Sequence, residues 1–282
     1  MTWEETVLWL RSQSELKGFV QQCYLDEPVT DAALRFSASE EWTESERLLK
    51  VCGGKVLEIG AGRGIASYAF AKAGCDVVAL EPDPSPVTGC GAIETLNREA
   101  GVTIAIVREY AEKMQFRSAE FDIVYGRQVF HHVSSLPDVC KEIARVLKPG
   151  GRILIAREHV ISKHSDLSVF LKNGITSSVY DGENARLLNE YESAFAEAEL
   201  CLTCRLGPLD SVINYFPMNR LEWHAACIRD LIKIVGWKCG FALTDERNFL
   251  GRRLLAWYAA RQSCLDQTPG RLFSFLAEKP VV

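Results

Sequence analysis

Apolar residues along this chain fall first into helical spacing. From residue 55 they fall into short blocks punctuated by glycine and proline. Trp3, Val7, Leu8 and Leu10 repeat at the period of one helix face, as do Leu16, Phe19, Val20 and Cys23. Residues 1–50 are therefore expected to be helical, interrupted at Pro28 and resumed over about 42–51. Residues 56–59 then form an apolar, β-branched run of the kind buried on both faces of a sheet, followed by three glycines at alternate positions. A helix is expected over 65–73, closed by Gly74 as its C-cap.

Strand and helix alternate from there. Strands are expected at 76–80, 102–107, 121–125 and 152–156, with helices at 91–100 and 137–147 and a tight turn at Lys148-Pro149-Gly150-Gly151. A polar and aromatic segment follows, then a helix over 187–199, a strand over 201–206, and a long helical stretch over about 210–263. That stretch holds Tyr215, Phe216, Trp223, Trp237, Phe241, Trp257 and Tyr258, and a strand at 271–278 closes the pattern. The expected fold class is α/β: a Rossmann-like, seven-stranded, mostly parallel sheet with helices on both faces. Residues 1–50 would form a helical N-terminal cap and 51–282 the main domain. Insertions at about 160–186 and 210–263 would form its substrate side. Ligands of such sheets sit at the carboxyl ends of the strands, where strand order reverses.

Composition narrows the partners. The 282 residues are 48% hydrophobic and 24% charged, with a formal net charge of -5 and no lysine- or arginine-rich run, so nucleic acid is not expected. The acidic start, Met1-Thr2-Trp3-Glu4-Glu5, does not read as a signal peptide, and no apolar stretch reaches the length of a membrane span. A cytoplasmic protein is expected, a monomer or homodimer, its ten scattered cysteines reduced. Cys201-Leu202-Thr203-Cys204 has the spacing of a zinc half-site but no second pair, and no metal site is expected.

The glycine turn Gly60-Ala61-Gly62-Arg63-Gly64 is one residue too tight for the G-x-G-x-x-G of a nicotinamide dinucleotide site. Glu58, two residues before it, would repel a diphosphate and suit a ligand carrying an ammonium or sulfonium group. Glu81, ending the second strand, can accept from both hydroxyls of a ribose.

Four motifs in order, Val56 to Gly64, Val78 to Asp83, Phe121 to Val124 and Leu147 to Gly151, resemble the class I S-adenosylmethionine-dependent methyltransferases. The resemblance covers about residues 50–158 and implies S-adenosylmethionine as cofactor and S-adenosylhomocysteine as product. It implies that Glu58, Gly60, Ala61, Gly62, Gly64 and Ile65 hold the methionine end, and that Glu81 holds the ribose. Pro82 and Asp83 would flank the adenine, with Ala111 and Glu112 near its amine. Tyr110 stands where an aspartate is more usual in the family. Arg127 and Gln128 would line the site after the fourth strand. His131, Glu158 and His159 are the candidate general bases, and Tyr180, Asn184 and Tyr215 the candidate substrate contacts. The expected reaction is methyl transfer to a small molecule, at an oxygen of a hydroxylated metabolite or sugar. The alternatives are a protein that binds S-adenosylmethionine without transfer and, less favoured, a nicotinamide-dependent dehydrogenase.

Overall fold

The computed structural model describes residues 1–235 and 249–281. Trp237 and Phe241 lie outside the described residues. Four helices precede the sheet: α1 (Trp3–Ser12), α2 (Lys17–Gln22), α3 (Val29–Ser37) and α4 (Glu40–Leu49). The pattern predicted the first, second and last. α3 is the addition, and its buried Val29, Ala32, Ala33 and Phe36 recur at helical spacing directly after Pro28. These residues share one apolar core with Trp42 and Leu49 of α4 and with Ala66, Ala69 and Phe70 of the helix after the glycine turn.

The sheet contains β1 (Lys55–Ile59), β2 (Asp76–Leu80), β3 (Ile104–Val107), β4 (Phe121–Arg127), β5 (Leu147–Ile161), β6 (Arg186–Leu187), β7 (Cys201–Leu206) and β8 (Arg271–Glu278). Its order is β3-β2-β1-β4-β5-β8-β7, with the two-residue β6 beside the end of β5. β1 to β5 run parallel, and β8 is antiparallel to both β5 and β7. Helices α5 (Ile65–Lys72), α6 (Cys90–Ala100), α7 (Leu136–Val146), α8 (Leu167–Asn173) and α9 (Leu188–Glu197) complete the alternation. The late insertion is helical, as expected: α10 (Val212–Tyr215), α11 (Arg220–Val235) and α12 (Phe249–Leu265) lie between β7 and β8.

Two differences from the expected elements matter for the site. β6 makes an eighth strand, too short to leave a period-2 signal. β5 does not end at Ala156 but continues to Ile161, because β8 goes on pairing with it. The pairing slips between Ile155 and Glu158, and Arg157 there has a φ of +63°. That bulge re-aims the side chains that follow it. Glu158 and His159 thus lie within a strand, held by its ladder, rather than in a loop after it.

The strand order reverses between β1 and β4, whose carboxyl ends carry the glycine turn and the segment from Gln128 to His132. The two touch. A Cβ on Gly60 (φ +60°) would fall 2.3 Å from Val129 Cγ2, so only glycine lets this close approach occur.

Candidate active site

The glycine turn is braced from below and from the side. Gly60 and Ala61 both donate to the Leu80 carbonyl (2.8 and 3.2 Å). The Gly62 N–H donates to Glu81 Oε2 at 2.6 Å, and the Asp83 N–H to Oε1 at 2.9 Å. Gly62 has a φ of +51°, and the nearest atom to a Cβ there would be the Thr88 carbonyl at 3.6 Å, so its outer side stays open. Ile65 begins α5 directly after Gly64, which takes a φ of +75° at the N-cap. Glu58 is buried and accepts from the Ser67 hydroxyl of α5. Burial pushes its carboxyl pKa up to about 8, only partly offset by that bond. Burial also raises Glu81. Among the described residues neither carboxylate has an ion-pair partner. Two buried, unneutralised acids around an open glycine turn fit a ligand that brings its own positive charge and hydroxyl donors.

The neighbouring residues divide. Asp83 spends both carboxylate oxygens on its own loop, one on the Ser85 N–H (2.9 Å) and one on the Thr88 hydroxyl (2.8 Å), while Pro82 is exposed. Ala111 is buried; Glu112 accepts from the Ser134 N–H (2.8 Å), and Tyr110 is 72% exposed. Gln128 lies beside Arg127, whose Nη1 donates to its side-chain oxygen at 3.0 Å. The Arg127 guanidinium is otherwise taken up by Glu41 of α4, from Nε at 2.7 Å and Nη2 at 3.2 Å. Burial alone would lower the pKa of Arg127, but the Glu41 carboxylate outweighs it and raises it. Arg127 is therefore turned toward the N-terminal helices rather than offered to a ligand. Arg63 of the glycine turn reaches the same way, donating to the Tyr24 and Asp26 carbonyls (2.8 and 2.9 Å) and pairing with Glu27 (2.8 Å). No motif signals either reach, because the partners lie on α4 and on the loop between α2 and α3, both distant in sequence.

Next along the rim is a cluster of imidazoles and carboxylates. Glu158, fully buried, accepts from the backbone N–H groups of Val129 (2.9 Å), Phe130 (3.1 Å) and His131 (3.0 Å), and its Oε2 lies 2.6 Å from His131 Nδ1. On the other side of that ring, His131 Nε2 is 3.2 Å from Glu183 Oε1. Burial opposes charge on His131, but Glu158 and Glu183 outweigh it and push its pKa up to about 9. Burial opposes charge on Glu158 too, and here the adjacent His131 outweighs it and holds the carboxyl low. His131 therefore already holds its proton and Glu158 is committed to it, so neither is the neutral group left to act as a base. His159 differs. Its Nδ1 lies 2.9 Å from the Gly270 carbonyl, which can only accept, so Nδ1 carries the proton and Nε2 keeps its lone pair. Burial first, and then the His131 charge, push its pKa down to about 4. His132 repeats the arrangement, with Nδ1 at 2.9 Å from the Gly182 carbonyl.

Loop 174–185 covers this cluster. Tyr180 packs beside His132 (6.1 Å between ring centres) and Trp3 of α1 (5.3 Å). Asn184 accepts from the Ala185 N–H (2.9 Å), which shapes the loop. Tyr215 does not join them. It stacks on Trp223 (5.4 Å) and lines an outer cavity with Glu44 and Arg220, because successive residues at the end of α10 diverge. Phe216 turns inward instead, stacking on Tyr24 at 5.7 Å with Arg157 over its ring. Glu183, which the sequence shows only as part of a polar run, proves central.

Comparison with known proteins agrees with the motifs. Residues 57–155 match the methyltransferase domain family. The ubiquinone biosynthesis O-methyltransferase of Rhizobium johnstonii is 28% identical over 202 residues, covering 70% of this chain and 78% of that protein. Among solved structures, the Haemonchus contortus phosphoethanolamine N-methyltransferase 2, in complex with S-adenosylhomocysteine, superposes with a TM-score of 0.56. It is 16% identical, with 99% of this chain and 60% of that one covered. A geranyl diphosphate methyltransferase in complex with its diphosphate and sinefungin gives 0.54 at 14% identity, covering 90% and 83%. At those identities the structures speak for the fold. Residues 57–155 are a methyltransferase domain, of the class I S-adenosylmethionine-dependent kind. The chain is an enzyme, and S-adenosylmethionine is its cofactor.

Proposed function

We propose that this enzyme methylates an oxygen of a small hydroxylated molecule held between the glycine turn and loop 174–185. The observation that supports oxygen is the cluster of His131, His159, Glu158 and Glu183 on the rim next to the turn. An alcohol or phenol must lose its proton as it is methylated, and a neutral imidazole with a free Nε2 can take it. The relative named for O-methylation in ubiquinone biosynthesis points the same way. A hydroxylated metabolite or sugar remains the class of acceptor.

In this reading Gly60, Ala61, Gly62, Gly64 and Ile65 cradle the methionine end of the cofactor, with Glu58 as the nearby acid. Glu81, steadied by Gly62 and Asp83, takes the ribose hydroxyls. Pro82, Asp83, Ala111 and Glu112 shape the adenine side through their backbone. The sulfonium supplies an already activated methyl group. The protein's part is to align donor and acceptor, exclude water and accept one proton at His159 Nε2. Glu158 positions His131, and residues 1–50 with loop 174–185 close the acceptor side.

Incubation with S-adenosylmethionine carrying a carbon-13 methyl, against matched phenol, sugar-hydroxyl and amine acceptors, tests the proposal by NMR. Methyl signals at the shift of a methoxy carbon are expected. Label found only on nitrogen overturns it.

A further inference from the structure

We propose that His131, His159 and Glu183 form a binding site for one first-row divalent transition-metal ion. One donor atom from each of these residues lies within 4.8 Å of the others. The rings are oriented as metal-binding imidazoles usually are, with the far nitrogen committed to an oxygen. His131 Nδ1 is held by Glu158, His159 Nδ1 by the Gly270 carbonyl, and the flanking His132 Nδ1 by the Gly182 carbonyl. Each is thereby left with Nε2 as its remaining donor, from which, on His131, the incoming ion displaces the proton. His131 Nε2 and Glu183 Oε1 are already 3.2 Å apart, close to the edge of a tetrahedron drawn with bonds of about 2.0 Å, which is about 3.3 Å.

The second observation is Glu183 itself. Its side chain is only 8% exposed, yet among the described residues its Oε1 has no hydrogen-bond partner, because the contact to His131 lacks the alignment of one. A buried carboxylate oxygen that faces the His131 and His132 imidazoles at 3.2 and 3.9 Å without an aligned hydrogen bond is a position that a cation fits. Two nitrogen donors and one carboxylate favour zinc, cobalt, iron(II), nickel or manganese over magnesium or calcium, which prefer oxygen throughout. Three protein ligands leave a further position open. If the methyl-transfer reading holds, that position suits the acceptor oxygen: with the ion bound, His159 Nε2 is a ligand and no longer the base, the metal lowers the hydroxyl's pKa, and its proton leaves to solvent before the methyl arrives.

The test uses the whole chain, stripped with a chelator and titrated with Co2+ by calorimetry and visible absorption, without S-adenosylmethionine or acceptor. One equivalent is expected to bind with bands of nitrogen and oxygen ligation. Affinity should fall roughly tenfold or more in Glu183→Gln and in His159→Ala. The unfolding temperature of each stripped variant shows whether the variant is folded, and Zn2+ should raise that temperature in the wild type alone. Absence of binding, affinity unchanged in both variants, or the strong near-ultraviolet bands of cysteine ligation would each overturn the proposal. The readout is metal binding, so it can fail while methyl transfer stands, and the reverse.

Discussion

Replacing Glu41 by glutamine removes one charge from a buried pair and leaves the other in place. Glu41 is fully buried on α4, and Arg127, at the end of β4, is 17% exposed. With N–O distances of 2.7 and 3.2 Å, Coulomb attraction at an effective dielectric of about 20 is about 5 kcal/mol. Measured losses on breaking such pairs run about 3–5 kcal/mol, most of it the cost of stranding the remaining charge. Glutamine keeps an acceptor and Arg127 keeps some water, so the lower end, about 3 kcal/mol, is expected for Glu41→Gln. In a chain of this size that lowers the midpoint of thermal unfolding by about 6 °C or more. Urea unfolding followed by tryptophan fluorescence gives the free energy directly, since Trp42 sits beside Glu41 in the same core. The double variant Glu41→Leu with Arg127→Met removes both charges and should return to within about 1 kcal/mol of wild type. A fall below about 1 kcal/mol in the single variant, or a double variant no better than the single one, refutes the reasoning that the pair is a desolvated tie between the N-terminal helices and the sheet.

Two further outcomes follow from the buried acids of the glycine turn. Glu58 has a folded pKa of about 8 against an ordinary carboxylate value, so between the two the folded state holds a proton that the unfolded state releases. Its contribution is therefore most favourable at low pH and is lost as pH rises toward 8, at up to about 1.4 kcal/mol per pH unit. Glu58→Gln should flatten that slope in urea titrations between pH 5.5 and 8.5, and identical slopes would show that Glu58 is not the group. Glu81→Ala should weaken S-adenosylmethionine binding roughly tenfold or more by calorimetry, the worth of a charge-assisted hydrogen bond; unchanged affinity removes Glu81 as the ribose anchor.

What the sequence reveals is whatever chemistry enforces locally. A strand feeding alternate glycines needs residues without Cβ at Gly60, Gly62 and Gly64, so the turn is written in consecutive letters. Glu81 is legible for the same reason, since it ends the neighbouring strand. The Glu41–Arg127 pair leaves no such trace, because its members are joined only by the packing of α4 against the sheet. The bulge at Arg157 is likewise invisible, and with it the aim of Glu158. The proposed metal ligands come from three separate segments, so no ligand spacing announces them. Tyr215 and Phe216 were indistinguishable as neighbouring aromatics until the end of α10 sent them to opposite sides.

The place of β8 sets an order of events during synthesis. The strand sits between β5 and β7 although it is translated after both, with the whole α10–α12 excursion intervening. Until it arrives, two strands already off the ribosome expose facing edges with nothing between them. Gly270, at its entry, bonds back to the Val160 carbonyl and supplies the oxygen that orients His159. A nascent chain can therefore assemble the donor cradle early, yet its histidine cluster stays unset until Gly270 and β8 emerge. Ribosome-bound chains should acquire the two halves of the site at different lengths.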